Sequence, residues 1–365
     1  VQWVSSWSTI PLSAAKPPST FSARPQRLQR AKAREAVRVK EGAEKADYLP
    51  RRSVGPKMEL QYRSSFAALQ KAFPEIKAGV PIRSLDDMLD TFLHVMFFEG
   101  GSLQEARELL YGACYCMNVM ARDLPKSRRA FKAFRRLAPE SARDPAPFEC
   151  GVLIARAVSR PGTRVALEAA AAILLHMDIY ARPAALLRLR REHCIPPVIG
   201  LGAARPHWAV VFFPSTEAER SKTFQQDDTV EVGVLGSRLY MNDVLKALVD
   251  STPAESCLFN FEVPAYLRMV KAASAKVGLT AMNIVPHMFR HTGPSLDALN
   301  NVDLRIIQRR GMWKARSSVD RYSKHGRYLR QLSKLSSAQK ASALSDLAWL
   351  QLELPAALRR CRGST

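Results

Sequence analysis

PHMFRHTGPSLDALNNVDLRIIQRRGMWKARSSVDRY, residues 286–322, gathers His287, Arg290, Trp313 and Tyr322 into one short window of a strongly basic chain. Its local structure can be read from residue types alone. Met288, Phe289, Ser295, Leu296 and Leu299 continue a helix from the H-x-x-R box, and Leu304, Ile306 and Ile307 supply the apolar face of a second helix. Gly311 is expected to end that second helix by taking positive φ, which a residue without Cβ does at no steric cost. Ser317 or Ser318 is expected to cap a third helix that carries Tyr322. Two short helices then bring the box and the tyrosine back together.

The window resembles the tyrosine recombinases, the phage-integrase-like enzymes that break and rejoin DNA. In that family an H-x-x-R box is followed by a His or Trp and, nine residues later, by a nucleophilic Tyr; Trp313 and Tyr322 stand nine apart. Upstream, Val165 to Leu175 reads as a buried helix leading into HMDIYARPAALLRLRREH, where Arg182 takes the place of the family's first arginine. The family usually has an acidic residue three positions after this Arg, and here Ala185 stands instead. Two strand-like runs follow, WAVVFFP from Trp208 and DTVEVGVL from Asp228, with Lys222 in the polar connection between them. A lysine on a β-hairpin is the family's general acid, and Lys222 is the only lysine between Arg182 and Lys246. Its forty-residue separation from Arg182 implies an inserted loop around 196–206. His291, next to Arg290, competes with His287 for the imidazole role.

What the resemblance implies can be stated as chemistry. Phosphodiester cleavage builds negative charge on the non-bridging oxygens while an alkoxide leaves, so it needs fixed cations, a nucleophile and an acid. Arg182 and Arg290 would clamp the oxygens with planar guanidinium forks. His287 would help deprotonate Tyr322 or bond the phosphate, Trp313 would donate its indole N–H, Tyr322 would attack, and Lys222 would protonate the leaving 5′ oxygen. The product is a 3′-phosphotyrosyl link, and the scheme calls for no metal or other cofactor. Three readings stay open: a site-specific recombinase or mobile-element integrase, a type IB topoisomerase-like enzyme, and a non-catalytic DNA-binding descendant, to which Ala185 lends support.

Composition is consistent with such a partner. The 365 residues carry a formal net charge of +22 and a pI near 10.1, which implies a polyanion, with nucleic acid first. A hydrophobic content of 47% argues against wholesale disorder and allows two domains with separate cores. The cysteines at 114, 116, 150, 194, 257 and 361 lack disulfide-framework spacing and read as reduced intracellular thiols. His193, Cys194 and His207 lack a C-x-x-C pair beside them and read as ordinary loop residues rather than zinc ligands. No apolar run reaches the 18 or so residues of a membrane span. A DNA-dependent enzyme would work in the nucleus of a eukaryotic cell and in the cytoplasm otherwise.

The expected fold class is mainly α with a small antiparallel β-sheet (α+β). Residues 1–57 read as a basic tail, rich in Ser, Pro and Arg, of the kind that also starts organelle transit peptides; the chain opens on Val, so a longer protein stays open. Residues 58–138 read as a helical, DNA-binding core-binding domain, with capping boxes at Ser84/Asp87 and Ser102/Glu105. In its last helix Arg128, Lys132, Arg135 and Arg136 lie opposite Phe131 and Phe134, and together with Arg129 they either lay cations along a phosphate backbone or form a solvated basic face. Residues 139–147, PESARDPAP, are the candidate linker, 148–335 the recombinase catalytic domain, and 336–365 a C-terminal helix and tail. A further helix is expected to start at Thr252, Pro253 and Glu255. Leu344, Leu347, Leu350 and Leu354 form a stripe on the C-terminal helix that Pro355 should end. That helix is expected to pack on its own subunit; docking on a neighbour in a DNA-bound dimer or tetramer is the alternative.

Overall fold

The computed structural model describes residues 53–139, 144–200, 203–215 and 226–361, together with the isolated Val39. The described residues are mainly α-helical with a small antiparallel sheet, and contacts divide the chain into two compact units, one through residue 141 and one from 142 onward. Asp228, Arg182 and every residue of the 286–322 window belong to the second unit.

In the first unit α1 (Pro56–Ala72) lies along α3 (Leu103–Met117), and α2 (Ile82–Phe98) along α4 (Pro125–Leu137). Phe66, Leu69, Leu85, Leu89, Leu93, Leu109, Leu110 and Phe134 fill the space between them. The Ser102/Glu105 capping box forms as expected. Ser84 does not cap α2: the helix begins two residues earlier, after Pro81, and Ser84 lies inside it. The acidic residue that acts as a cap here is Asp86, whose buried carboxylate accepts from the Lys126 and Ser127 backbone N–H groups, both at 2.9 Å. It thereby satisfies donors at the start of α4, which Pro125 opens.

The second unit is built around α6 (Arg164–Ile179), which is buried from Ala166 to its end. Around it pack α5 (Phe148–Ser159), α8 (Met241–Asp250), α10 (Pro286–Leu299) and α14 (Ser337–Arg360). After α7 (Pro183–Leu187), strands β1 (Cys194–Ile195), β4 (Ala209–Phe212) and β5 (Asp228–Glu231) form the sheet in the order β1-β4-β5. Phe212 pairs with Asp228, so the connection expected to hold Lys222 joins the central strand β4 to the edge strand β5; Lys222 itself lies outside the described residues. The loop expected around 196–206 holds a separate hairpin, β2 (Val198–Gly200) with β3 (Ala203–Arg205).

Three other expectations fail for identifiable reasons. No helix starts at Thr252: its hydroxyl bonds back to the Leu248 carbonyl at 2.7 Å, closing off α8, and the next helix, α9, runs Val263–Lys276. Pro355 does not end α14, which continues to Arg360, because Leu350, Leu354, Pro355 and Leu358 are all buried against this unit's own core. That burial outweighs the missing N–H of one proline. Leu344, at 73% exposed, lies off the buried face.

Residues 144–147 of the expected linker are tied to the second unit. Ala146 O accepts from Thr292 Oγ1 at 2.5 Å, and the Asp144 carboxylate accepts from Gln331 Nε2 at 2.5 Å.

Candidate active site

Arg290, one turn into α10, is fully buried. Its Nη1 donates to the Tyr180 carbonyl, and its Nη2 to the Gly311 carbonyl at 3.1 Å. Tyr180 can present its carbonyl because it ends α6 in the left-handed conformation, φ 53°, ψ 26°. Burial, and then repulsion from Arg182, push the Arg290 guanidinium down to about 10, so it is still a cation at neutral pH.

Gly311 follows α11 (Leu304–Arg310), but not for the expected reason. Its φ is −77°, and the left-handed residue is Met312, φ 54°. Glycine is needed at 311 for space, since a Cβ there would overlap the Trp313 ring. Neither Ser317 nor Ser318 caps α12 (Arg316–Tyr322); the position before the helix is Ala315, and α12 is held instead by buried Val319. The Ser295 hydroxyl also ties down its end, donating to Tyr322 O at 3.1 Å and accepting from Lys324 N at 2.9 Å.

These anchors set the nucleophile candidate in an aromatic and cationic wall. The Tyr322 ring stacks on Trp313 at 4.7 Å and 12° between planes, and Trp313 stacks in turn on Tyr180 at 6.3 Å and 14°. Tyr322 also meets His291 at 4.5 Å and the more distant His287 at 6.4 Å between ring centres. The Arg290 guanidinium carbon lies 5.1 Å from the Tyr322 ring centre and 5.4 Å from that of Trp313. The Trp313 indole Nε1 is buried with no hydrogen-bond partner. Two of the five guanidinium donors of Arg290 go to the carbonyls, and the guanidinium also bonds the Tyr322 side chain.

Arg182 precedes α7 and is half-buried, and Ala185 packs partly into the core. Asp228, at the root of the hairpin, is the acidic group that feels it. Burial raises the Asp228 carboxyl, while Lys314 and Arg182 pull it down. Arg182, His287, Arg290, Trp313 and Tyr322 therefore share one region of the second unit. A cleft of about 760 Å³, lined by Asp228, Arg305, Arg309 and Met312 among others, shares only Trp313 with this set. Sequence reasoning missed Tyr180 and Asp228, which meet the Arg290–Tyr322 set only through folding.

The other predicted contact residues, Arg128, Arg129, Lys132, Arg135 and Arg136, are all exposed on α4 of the first unit, opposite buried Phe134. Among the described residues no group of three or more His, Cys, Asp or Glu side chains could hold a metal ion, and no helix is long and apolar enough to cross a membrane.

Comparison with known proteins gives structural likeness without sequence likeness. No protein-family model matches the chain, and no curated protein sequence matches it. Among solved structures, the chain is similar to XerH site-specific recombinase bound to a palindromic difH substrate in a post-cleavage complex, with TM-score 0.47, 15% identity, and 79% of this chain and 77% of that one covered. It is also similar to XerA recombinase, with TM-score 0.37, 14% identity and coverage of 79% and 98%. The Tn1549 transposon integrase in complex with transposon right end DNA gives TM-score 0.36, 13% identity and coverage of 79% and 99%.

Proposed function

We propose that this chain is a tyrosine recombinase or integrase that cleaves and rejoins double-stranded DNA through a covalent 3′-phosphotyrosyl intermediate on Tyr322. The observation that carries the reading is the placement of the Tyr322 ring against Trp313, with the buried Arg290 guanidinium 5.1 Å away. A phenol is a weak nucleophile, and a fixed cation beside it stabilises the negative charge that gathers on the phosphate during attack.

The scissile phosphate would lie against Arg290 and Arg182. Their guanidinium donors take up the charge that grows on the non-bridging oxygens. The orphaned indole N–H of Trp313 is a further donor for a phosphate oxygen. His287, half-buried, would bond the phosphate or relay the phenol proton, while buried His291 walls the ring. The phenol oxygen attacks phosphorus, the P–O5′ bond breaks, and Lys222 on the hairpin connection protonates the departing oxygen. Asp228, whose carboxyl Lys314 and Arg182 pull down, is the candidate for the orienting role that Ala185 cannot perform.

Incubation with a nicked duplex that traps the covalent adduct tests this. The full chain should become linked to the 3′ end, and Tyr322→Phe should not. An adduct that survives in Tyr322→Phe would show the nucleophile is another residue. Relaxation of supercoiled plasmid by a protein that stays monomeric on DNA would instead favour the topoisomerase-like reading.

A further inference from the structure

We infer that Arg310 is a positioning residue for the Arg290 guanidinium, acting through the two backbone carbonyls that hold it; this rests on the proposed phosphoryl transfer. Tyr180 and Gly311 are far apart in sequence, and each ends a different helix. Arg310 is the side chain that spans the gap. It adjoins Gly311, is 7% exposed, and donates from Nη2 to the Asp178 carbonyl at 2.8 Å and to Asp178 Oδ1 at 3.2 Å. Its guanidinium carbon lies 5.5 Å from the Tyr180 ring centre. Nη1 donates to Glu231 O at 3.0 Å, which ties in the end of β5, the strand that starts after the Lys222 connection.

The brace continues to the helix that carries Arg290. The second Asp178 oxygen accepts from Gly233 N at 2.7 Å, Arg238 Nε lies 3.6 Å from Asp178 Oδ1, and Arg238 Nη2 donates to Asp297 Oδ1 on α10 at 2.5 Å. α6, α10, α11 and the hairpin are thereby held by directional bonds among four buried charged side chains. Apolar side chains of similar volume would fill the same space, and buried ion pairs seldom add net stability over such a filling. What apolar packing cannot do is set the relative slide of the two carbonyls, because it is non-directional. A clamp displaced by about 1 Å costs on the order of 100-fold in rate.

The test compares the full-length protein on two nicked duplexes, one with the natural scissile phosphodiester and one with a methylphosphonate there. The neutral methylphosphonate has little charge for a guanidinium clamp to stabilise, so a residue acting through Arg290 matters less on it, whereas a residue needed only for folding matters equally on both. Arg310→Met should lower the rate of adduct formation about 100-fold on the phosphodiester and less than about 5-fold on the methylphosphonate, in parallel with Arg290→Gln. Asp178→Asn, which keeps the shape, should do the same to a smaller degree and serves if Arg310→Met does not fold. Equal losses on both duplexes, or no loss on the phosphodiester, would overturn the role of Arg310 while leaving the recombinase reading in place. Absence of any adduct from the unmutated protein would overturn that reading and the inference with it.

Discussion

The indole of Trp313 and the phenol of Tyr322 lie nearly parallel, 12° between planes and 4.7 Å between centres, so the last helix of the site is docked through its own nucleophile candidate. Trp313→Ala should free α12 as well as leave a hole among Tyr180, Ile307 and Val319. The expected loss is about 3 kcal/mol in denaturant unfolding, with adduct formation falling further than stability does. Trp313→Phe should keep the stack and cost about 1 kcal/mol. An alanine variant as active as the parent would show that the stack does not place Tyr322.

Arg290→Gln should abolish adduct formation by 100-fold or more, on the order of one lost transition-state donor or greater. DNA affinity, read by fluorescence anisotropy, should change little, because exposed cations elsewhere dominate non-specific binding. A variant that bound DNA far more weakly yet cleaved normally at saturation would contradict this division.

On the first unit, replacing Arg128, Lys132, Arg135 and Arg136 together by Gln should flatten the salt dependence of DNA binding. Each lost phosphate contact removes about 0.9 from the slope of log K against log salt, so a change of about 3 is expected if most of these exposed side chains touch phosphates. An unchanged slope would mean that α4 faces away from the duplex.

Burial pushes the His176 imidazole down to about 3, with repulsion from Arg290 second, and the ring packs against Tyr266 at 6.0–6.4 Å together with Phe289. A histidine whose folded pKa lies below its unfolded value is held neutral in the fold, and its contribution to stability is full above about 6.5 and lost as pH falls toward 3. Between pH 7 and pH 5 the loss should be about 2 kcal/mol, from a shift of more than one unit across that window. His176→Phe should remove that part of the pH dependence in chemical denaturation.

Gly293 and Gly326 make an internal contrast between two helical glycines. A Cβ at 293 would overlap the Met177 carbonyl and the Tyr180 ring, whereas one at 326 meets nothing within 4 Å. Gly293→Ala should destabilise the second unit by about 3 kcal/mol through overpacking, and Gly326→Ala should stabilise it by about 0.5 kcal/mol through the unfolded chain. Thermal unfolding of the two variants side by side checks both signs.

Much of the scaffold was legible in advance because it depends on local periodicity. The helix from the H-x-x-R box runs through Gly293 and Pro294 to Leu299 as its apolar spacing implies, α6 is buried as its Ala- and Leu-rich run implies, and the strands after Trp208 and Asp228 pair antiparallel. Helix ends were less legible. Ser317 and Pro355 each carry a strong local preference, yet Val319 and the buried leucines of α14 decided those positions through contacts from elsewhere in the fold, and Ser84 lies inside α2, which starts after Pro81.

The sequence by itself determined the order of the candidate side chains from His287 to Tyr322, because spacing within a short window survives into any fold that keeps its helices. Only the tertiary structure decided that Tyr180 and Gly311 would hold Arg290, that Asp228 would stand near Arg182, and that Asp178, Arg238, Asp297 and Arg310 would form one buried brace. Hydrogen bonds and charges act over a few ångströms of space, and the positions that supply them here are separated by up to more than a hundred residues of chain with no period to reveal them.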